Sequence, residues 1–282
     1  MIMGGVALAI MQASVKLISI NLHPFIVTLY RTGLVAIVLL PILIIRGGTV
    51  FKTSSVKLQV IRGTIGGLGM LCGFTGLSLV PLAEATALLF TMPIFSTLLS
   101  IFFLAEKVGW KRWGAILAGF AGIVIIARPE ASFNIGYLFL VAAAFAWSIS
   151  ILIAKKLTER DTIISITFWQ AMGCLPLAFF ASLFVWDIPS WPEISFLLAV
   201  AAAGTLGHAL VYSAIKIGAI SFVLPLDYIR IIWSAALGYL LFGHLPSSNL
   251  YLGSFLIIIA TSFLTFRETQ RPTPEKKSLI SE

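Results

Sequence analysis

Residues 135–154, IGYLFLVAAAFAWSISILIA, form an unbroken run of twenty residues without a charge. A helix needs about 20 apolar residues to cross the hydrocarbon core of a bilayer, and the run lacks the alternation that marks a membrane β-strand. The whole chain shares this character, since 59% of its 282 residues are hydrophobic, 11% are charged and the mean hydropathy is +1.05. The composition therefore predicts an all-α integral membrane protein rather than a soluble globular one.

Nine further apolar segments flank this run, so the sequence predicts ten transmembrane helices. Short connections that carry Pro, Gly or Asn separate them, and the shorter segments are still long enough to span with little tilt. The predicted spans are residues 2–19, 25–45, 61–80, 84–104, 111–127, 135–155, 163–185, 194–215, 218–241 and 249–266.

The basic residues divide sharply between alternate connections. With a cytoplasmic N-terminus, fifteen of the 19 Lys and Arg lie in cytoplasmic connections, in the adjoining span ends or in the tail, three lie deeper within spans, and Arg128 alone lies outside. Because Lys and Arg are enriched in cytoplasmic loops, both termini are predicted to be cytoplasmic. The net charge of +8 is spread over these connections instead of one face, which argues against a nucleic-acid partner. The polar residues 267–282 are predicted to be a disordered cytoplasmic tail.

Weak internal similarity relates the two halves of the chain. Gly63-Thr-Ile-Gly66 matches Gly204-Thr-Leu-Gly207, and Thr28-Leu-Tyr-Arg31 parallels Thr167-Phe-Trp-Gln170 at a similar offset. Similar offsets favour a duplication, and five spans in each half make the two repeats inverted, with a solute site near the middle of the membrane. The predicted domains are two five-helix repeats, residues 1–130 and 134–266.

The segment Pro81-Leu-Ala-Glu-Ala-Thr-Ala-Leu-Leu-Phe-Thr-Met-Pro93, followed by Leu104-Ala-Glu106, resembles EamA-type members of the drug/metabolite transporter superfamily. The likeness covers about residues 1–266 and implies transport of a small metabolite. Pro225-Leu-Asp-Tyr-Ile-Arg-Ile-Ile-Trp233 is similar to the branch that includes S-adenosylmethionine and riboflavin uptake carriers, whereas other relatives are exporters. His244 departs from the family pattern, which has at this point the helix-ending Glu seen at Glu106.

Asp227 and Arg230 carry charge into the ninth predicted span. They lie nine and twelve residues into it, about 14 to 18 Å from its cytoplasmic end, where a charge costs about 2.5–3.5 kcal/mol on insertion scales. Their i, i+3 spacing places them on one face. One interpretation is a solute site in which Arg230 binds a carboxylate or phosphate and Asp227 binds an amine or exchanges a proton. The other is a structural ion pair.

Arg31 is the other deep cation, and its own helix offers no acid within one turn. Glu84 and Asp227 are possible partners from other helices. Alternatively, Arg31 binds a solute anion or extends toward the interface. Lys16 lies close to the outer end of the first span and is expected to extend its ammonium group into the interface.

Further candidate solute contacts lie within the spans. Thr205, His208 and Tyr212 form a polar stripe on the eighth predicted helix, and His208 is either a packing residue or a proton carrier. Aromatic side chains either line a cavity for a planar solute or belong to the core. The candidate substrate-binding residues are Tyr30, Arg31, Trp147, Trp169, Gln170, His208, Tyr212, Asp227, Tyr228, Arg230 and Trp233.

Glycine and proline mark two further features. The third span has a glycine-rich face that includes Gly69-x-x-x-Gly73, which allows another helix to approach closely. Pro93 and Pro225 lie inside spans and are expected to break the fourth and ninth helices, where flexing would serve alternating access.

Ser54-Ser-Val-Lys57 matches the S-x-x-K motif of some enzymes, but it lies in a short basic connection without a companion motif, so we interpret it as coincidental. The sequence has no H-E-x-x-H pair, no G-x-S-x-G elbow and no P-loop, so we expect neither an enzyme nor an ATP-driven pump. Cys72 and Cys174 lie far apart without metal-ligand spacing, so no metal and no cofactor are expected. We expect a secondary transporter of an amino-acid-like or cofactor-like metabolite in a bacterial inner membrane, whose two halves rock about a central cavity. An exporter of the same fold and a non-transporting structural or sensory subunit remain as alternatives.

Overall fold

A computed structural model describes residues 1–45, 53–104, 109–127, 134–158, 160–217 and 227–269. These residues form helices and short connections, and no strand occurs among them. A 3₁₀ turn, Leu183–Val185, follows α8. The α-helices are α1 (Ile2–Ile18), α2 (Pro24–Ile45), α3 (Val56–Leu79), α4 (Leu82–Leu89), α5 (Met92–Leu104), α6 (Trp110–Ala127), α7 (Gly136–Thr158), α8 (Ile163–Ser182), α9 (Trp191–Ile217), α10 (Arg230–Phe242) and α11 (Ser248–Thr269).

Ten apolar helical segments follow one another in the described part of the chain, in the predicted order. Six of them are long and apolar enough to cross a bilayer, and four are shorter. The six are Val56–Leu79, Leu82–Leu99, Gly136–Ala154, Ile164–Val185, Trp191–Val211 and Ser248–Phe266, and the four are Ile2–Ile18, Pro24–Val38, Trp113–Ala127 and Arg230–Phe242.

Two predicted boundaries lie next to residues outside the described part of the chain. The ninth helix was expected from residue 218, whereas α10 begins at Arg230, and residues 218–226 with Pro225 lie outside the described part. The tail was expected from Arg267, but α11 continues to Thr269, and residues 270–282 lie outside the described part.

The fourth predicted span is interrupted in its middle. A turn at Phe90 and Thr91 separates α4 from α5, and Pro93 is the second residue of α5. Proline has no backbone N–H to donate to the preceding turn and is favoured at a helix start, so the apolar run cannot continue as one helix. The predicted break at Pro93 is therefore confirmed. A similar turn at Tyr228 and Ile229 precedes α10.

The glycine face of α3 packs directly on α7 and α8. A Cβ atom added to Gly69 would lie 2.7 Å from Cδ1 of Trp147, and one added to Gly63 would lie 2.8 Å from Cα of Gly173. Such distances leave no room for a side chain, so glycine permits the close approach that the sequence predicted. The contact of α6 with α11 is equally close, because a Cβ at Gly122 would lie 2.7 Å from the carbonyl oxygen of Gly253.

The helix contacts repeat between the two halves of the chain. Helix α3 packs on α7 and α8, while α9 packs on α1 and α2. In the order of the predicted spans, α1 corresponds to α7, α2 to α8, α3 to α9 and α6 to α11. Under this correspondence the contacts of α3 become those of α9, while the α6–α11 and α2–α8 contacts map onto themselves. We call α3, α7 and α8 the α3 bundle and α1, α2 and α9 the α9 bundle. Each bundle takes helices from both halves.

Candidate functional site

Asp227 and Arg230 form the expected pair at the start of α10. Nη2 of Arg230 lies 3.2 Å from Oδ2 of Asp227, and the two side chains are 12% and 16% exposed. Asp227 Oδ1 and Arg230 Nε have no hydrogen-bond partner among the described residues. Gly5 of α1 packs against the pair, since a Cβ atom there would lie 3.4 Å from Asp227 Oδ1. Both residues therefore keep a polar atom for a further partner.

An aromatic pair lies beside these charges. The Arg230 guanidinium is 4.7 Å from the centre of the Phe90 ring, and Phe90 meets the Tyr228 ring edge on at 5.0 Å. The Tyr228 hydroxyl donates to Thr261 Oγ1 of α11. The turn at Phe90, which interrupts the fourth span, thus contacts the turn at Tyr228, which precedes α10. Sequence reasoning missed Phe90, although Pro93 indicated the turn on which it lies.

Arg31 is buried without an acidic partner in the described part of the chain. The residue is 9% exposed, its Nη1 donates to the sulfur of Met70 at 2.9 Å, and its Nε has no partner. The guanidinium lies 5.6 Å from the Phe74 ring. A Cβ atom at Gly204 of α9 would lie 3.0 Å from Arg31 Nη2. The cation is therefore enclosed between α3 and α9.

Neither acid proposed for Arg31 from sequence pairs with it. The Glu84 carboxylate accepts hydrogen bonds from the Tyr137 hydroxyl at 2.7 Å and from the Ser247 hydroxyl at 3.3 Å. Asp227 pairs with Arg230 instead.

His208 lies in the same region as the two arginines. It lies within electrostatic range of both Arg31 and Arg230, and its Nδ1 is 2.7 Å from the carbonyl oxygen of Gly204, one turn earlier in α9. Arg31, His208 and the Asp227–Arg230 pair therefore share one interior region. The side chain of Tyr212, on the same helix, lies outside the described part.

Two other candidates use their polar atoms in helix packing. Trp147 Nε1 donates to the carbonyl oxygen of Gly66 at 3.2 Å, and Gln170 Nε2 donates to that of Gly63 at 3.5 Å. Both side chains lie on the glycine face of α3, which favours the packing interpretation that the sequence left open.

The remaining aromatic candidates have different surroundings. Trp169 Nε1 is buried and has no hydrogen-bond partner among the described residues, and its ring meets Phe168 edge on. Tyr30 is half-buried against the main apolar core. Trp233 is 41% exposed on α10.

A buried polar cluster links three helices next to this region. The Thr86 hydroxyl oxygen of α4 lies 3.0 Å from Gln12 Oε1 of α1 and 2.9 Å from Ser234 Oγ of α10. All three side chains are buried. The cluster fixes α4 and α10 against α1, and sequence reasoning did not single out Gln12 or Thr86.

Lys16 does not extend into the interface as expected. It is 8% exposed, and its ammonium group donates to the carbonyl oxygens of Leu77, Ser78 and Val80 at 3.2, 3.4 and 2.7 Å. These carbonyls terminate α3, where the helix dipole favours a cation. Lys16 therefore joins α1 to the end of α3.

Metal ligation has no support in the described residues, among which no group of three or more His, Cys, Asp or Glu is placed to hold an ion.

Comparison with known proteins identifies the family. Residues 1–128 and 134–266 each match the EamA-like transporter family. The chain belongs to the EamA-like transporter family. It is therefore a multi-pass membrane protein of a transporter family, and the described helices agree with that assignment.

Several named transporters are similar to most of the chain. The S-adenosylmethionine uptake transporter of Rickettsia bellii (strain RML369-C) is 31% identical over 90% of this chain and 87% of its own length. The riboflavin transporter of Vibrio cholerae serotype O1 is 31% identical over 98% of this chain and 95% of its own. The pseudopaline exporter of Pseudomonas aeruginosa (strain UCBPP-PA14) is 25% identical over 89% of each.

A protein of known crystal structure also has the fold of this EamA-like transporter. The two share 20% identity, the TM-score is 0.62, and the match covers 95% of this chain and 98% of the other. At this identity the likeness establishes the fold alone.

Proposed function

We propose that this EamA-like transporter is a secondary carrier that moves a small organic metabolite across the bacterial inner membrane by alternating access. The observation that carries the proposal is the group of charged side chains inside the helix bundle, Arg31, Asp227 and Arg230, with His208 within electrostatic range of both arginines. Charges at membrane depth are costly and are typical of solute and ion pathways. A purely structural or sensory subunit has no need of them.

The proposal includes ten spans in two inverted five-helix repeats with both termini in the cytoplasm. The distribution of Lys and Arg supports this orientation. The exchange of helix contacts between the two halves supports the repeats, and the two facing turns, at Phe90 and at Tyr228, are typical of discontinuous helices at a repeat interface.

The helix packing favours moving units other than the two halves of the sequence. Helix α3 contacts α7 and α8 through glycines without room for a Cβ atom, and α1 contacts α9 in the same way, because a Cβ at Gly207 would lie 2.8 Å from Leu8. Contacts this close do not separate easily. We therefore propose that the α3 bundle and the α9 bundle rock against each other, in place of the rocking of sequence halves expected above.

A cofactor-like or amino-acid-like metabolite is the proposed solute. Two similar proteins are named as transporters of S-adenosylmethionine and riboflavin, and the Phe90 and Tyr228 rings offer an aromatic surface beside Arg230. The pseudopaline exporter supports export as the second candidate direction.

The test combines binding and transport. The thermal stability of the detergent-purified protein is measured with the proteinogenic L-amino acids, S-adenosylmethionine, riboflavin and adenosine, since a ligand at 100 times its dissociation constant adds about 2.7 kcal/mol. Uptake and efflux of each stabilising solute are then measured in proteoliposomes. We expect solute movement in one direction that Asp227→Asn abolishes and Asp187→Asn leaves intact, because the described hydrogen bond of Asp187 is with the Ile188 N–H of its own connection. Equal fluxes in proteoliposomes and empty liposomes would refute a carrier.

A further inference from the structure

Arg31 is a buried cation whose charge no described acidic residue balances. Its described contacts are the sulfur of Met70, the face of the Phe74 ring and the backbone near Gly204. A thioether is a weak acceptor, and a ring face only partly replaces the water lost by a guanidinium. Because Nε has no partner in the described part and the residue is 9% exposed, the guanidinium keeps unused donor capacity inside the fold.

The sequence contains no spare acid for this position. Of the 11 Asp and Glu residues, only Glu84 and Asp227 lie within the predicted spans. Glu84 is bound by Tyr137 and Ser247, and Asp227 is bound by Arg230. Among the described residues, the group of Arg31, Arg230 and Asp227 therefore carries one positive charge in excess.

Packing does not explain the charge of Arg31. The repeat alignment places Arg31 opposite Gln170 and Gly204 opposite Gly63. The contacts agree, because Arg31 lies against Gly204 as Gln170 lies against Gly63. A neutral amide thus makes the equivalent contact in the other half, and the charge at Arg31 must serve a purpose that packing does not require.

We propose that Arg31 binds a carboxylate of the transported solute, so that the substrate class is an amino acid or another metabolite with a free carboxylate. This rests on the proposed carrier function. One carboxylate neutralises the one excess charge, and Arg31 Nε supplies an unused donor for it. Asp227 Oδ1, which has no hydrogen-bond partner among the described residues, is our proposed acceptor for the ammonium group of a zwitterionic solute.

The first experiment needs no solute. Arg31→Gln reproduces the residue of the other half, and Arg62→Gln is its matched control. Arg62 is 3% exposed but donates from Nε to Gln59 Oε1 at 3.3 Å and from Nη2 to the carbonyl of Ile166. We expect the melting temperature to fall in Arg62→Gln and to stay unchanged or rise in Arg31→Gln. An equal fall in both would show that the Arg31 charge is satisfied within the protein and would overturn the proposal.

The second experiment compares solutes that differ only at the carboxylate. The L-amino acids are tested beside the corresponding L-amino-acid amides, with adenosine as an uncharged probe. We expect stabilisation by a carboxylate, roughly 30-fold weaker or no binding of its amide, and the same loss in Arg31→Gln. Equal binding of an acid and its amide, or stabilisation and transport of adenosine alone, would overturn the carboxylate class while leaving the carrier function intact.

Discussion

Phe90 and Tyr228 meet edge on with 5.0 Å between their ring centres, although 138 positions separate them in the chain. Each residue lies in a turn before a helix, Phe90 ahead of α5 and Tyr228 ahead of α10. The Arg230 guanidinium lies 4.7 Å from the centre of the Phe90 ring. The two turns therefore form one junction, and the Asp227–Arg230 pair lies at this junction.

Phe90→Leu should destabilise the protein by about 1–3 kcal/mol, because it removes an edge-to-face ring contact and a cation–π contact while retaining apolar bulk. Phe95→Leu is the matched control. Phe95 is similarly buried and meets the Phe120 and Phe145 rings edge on, but no described cation lies over it. Chemical denaturation in detergent measures both variants. If the Phe90 variant retains solute binding, the Arg230 guanidinium does not depend on this ring for its position.

Lys16→Met should cost about 1–3 kcal/mol of stability, since three buried carbonyl oxygens at the end of α3 lose their donor. Lys111→Met is the control, because Lys111 is exposed and its described contact is with the Trp110 ring at 5.8 Å. The measurement is the thermal midpoint of each purified variant. Equal midpoints for the two variants would contradict a capping role for Lys16.

Two glycines of α6 should respond in opposite ways to alanine. At Gly122 the new Cβ would lie 2.7 Å from the carbonyl oxygen of Gly253, so Gly122→Ala forces α6 away from α11 and should cost about 1–3 kcal/mol. At Gly114 no described atom lies within 4 Å, and Gly114→Ala should raise stability by about 0.4–1 kcal/mol. Unfolding of the two variants under the same conditions provides the comparison, and destabilisation by both would argue against this contact.

Asp161, in the connection between α7 and α8, should make the stability of the protein depend on pH. Burial opposes ionisation of its carboxylate, but hydrogen bonds from Thr53, the Ser54 N–H and Gln59 outweigh it and lower the pKa below the ordinary 3.8. A lowered pKa in the folded state gives stability that is present above the unfolded value and is lost as the pH falls through the folded value.

The measurement is thermal stability from neutral pH down to about pH 3. Asp161→Asn should lower stability by less than about 2 kcal/mol at neutral pH, because the carboxylate is only partly buried. The difference from the parent should shrink toward acid. A constant difference across this range would show that the charge of Asp161 does not contribute.

Local signals predicted much of this fold. Hydropathy gave the ten apolar segments in order, Pro93 gave the break in the fourth span, and the i, i+3 spacing gave the Asp227–Arg230 pair. Each of these features depends on neighbours within one helix or turn.

Contacts between helices that are distant in the chain could not be predicted from local sequence. Nothing in the neighbourhood of Trp147 or Gln170 shows that their polar atoms bind the α3 backbone. Likewise, the sequence around Lys16 does not reveal the end of α3, and the sequence around Arg31 does not reveal that Glu84 and Asp227 are bound elsewhere. Long-range packing decides such partners, and a single sequence carries no direct record of it.

The composition of the α3 bundle has a consequence for biosynthesis. Helix α3 emerges from the ribosome well before α7 and α8, so its glycine face has no permanent neighbour while the intervening spans are being made. A fragment that ends near residue 130 should therefore insert its apolar segments into the membrane and yet fail to mature. Assembly of the α3 bundle can be completed only after the second half has been made. We expect substitutions on the glycine face of α3 to cause rapid degradation of the newly made chain.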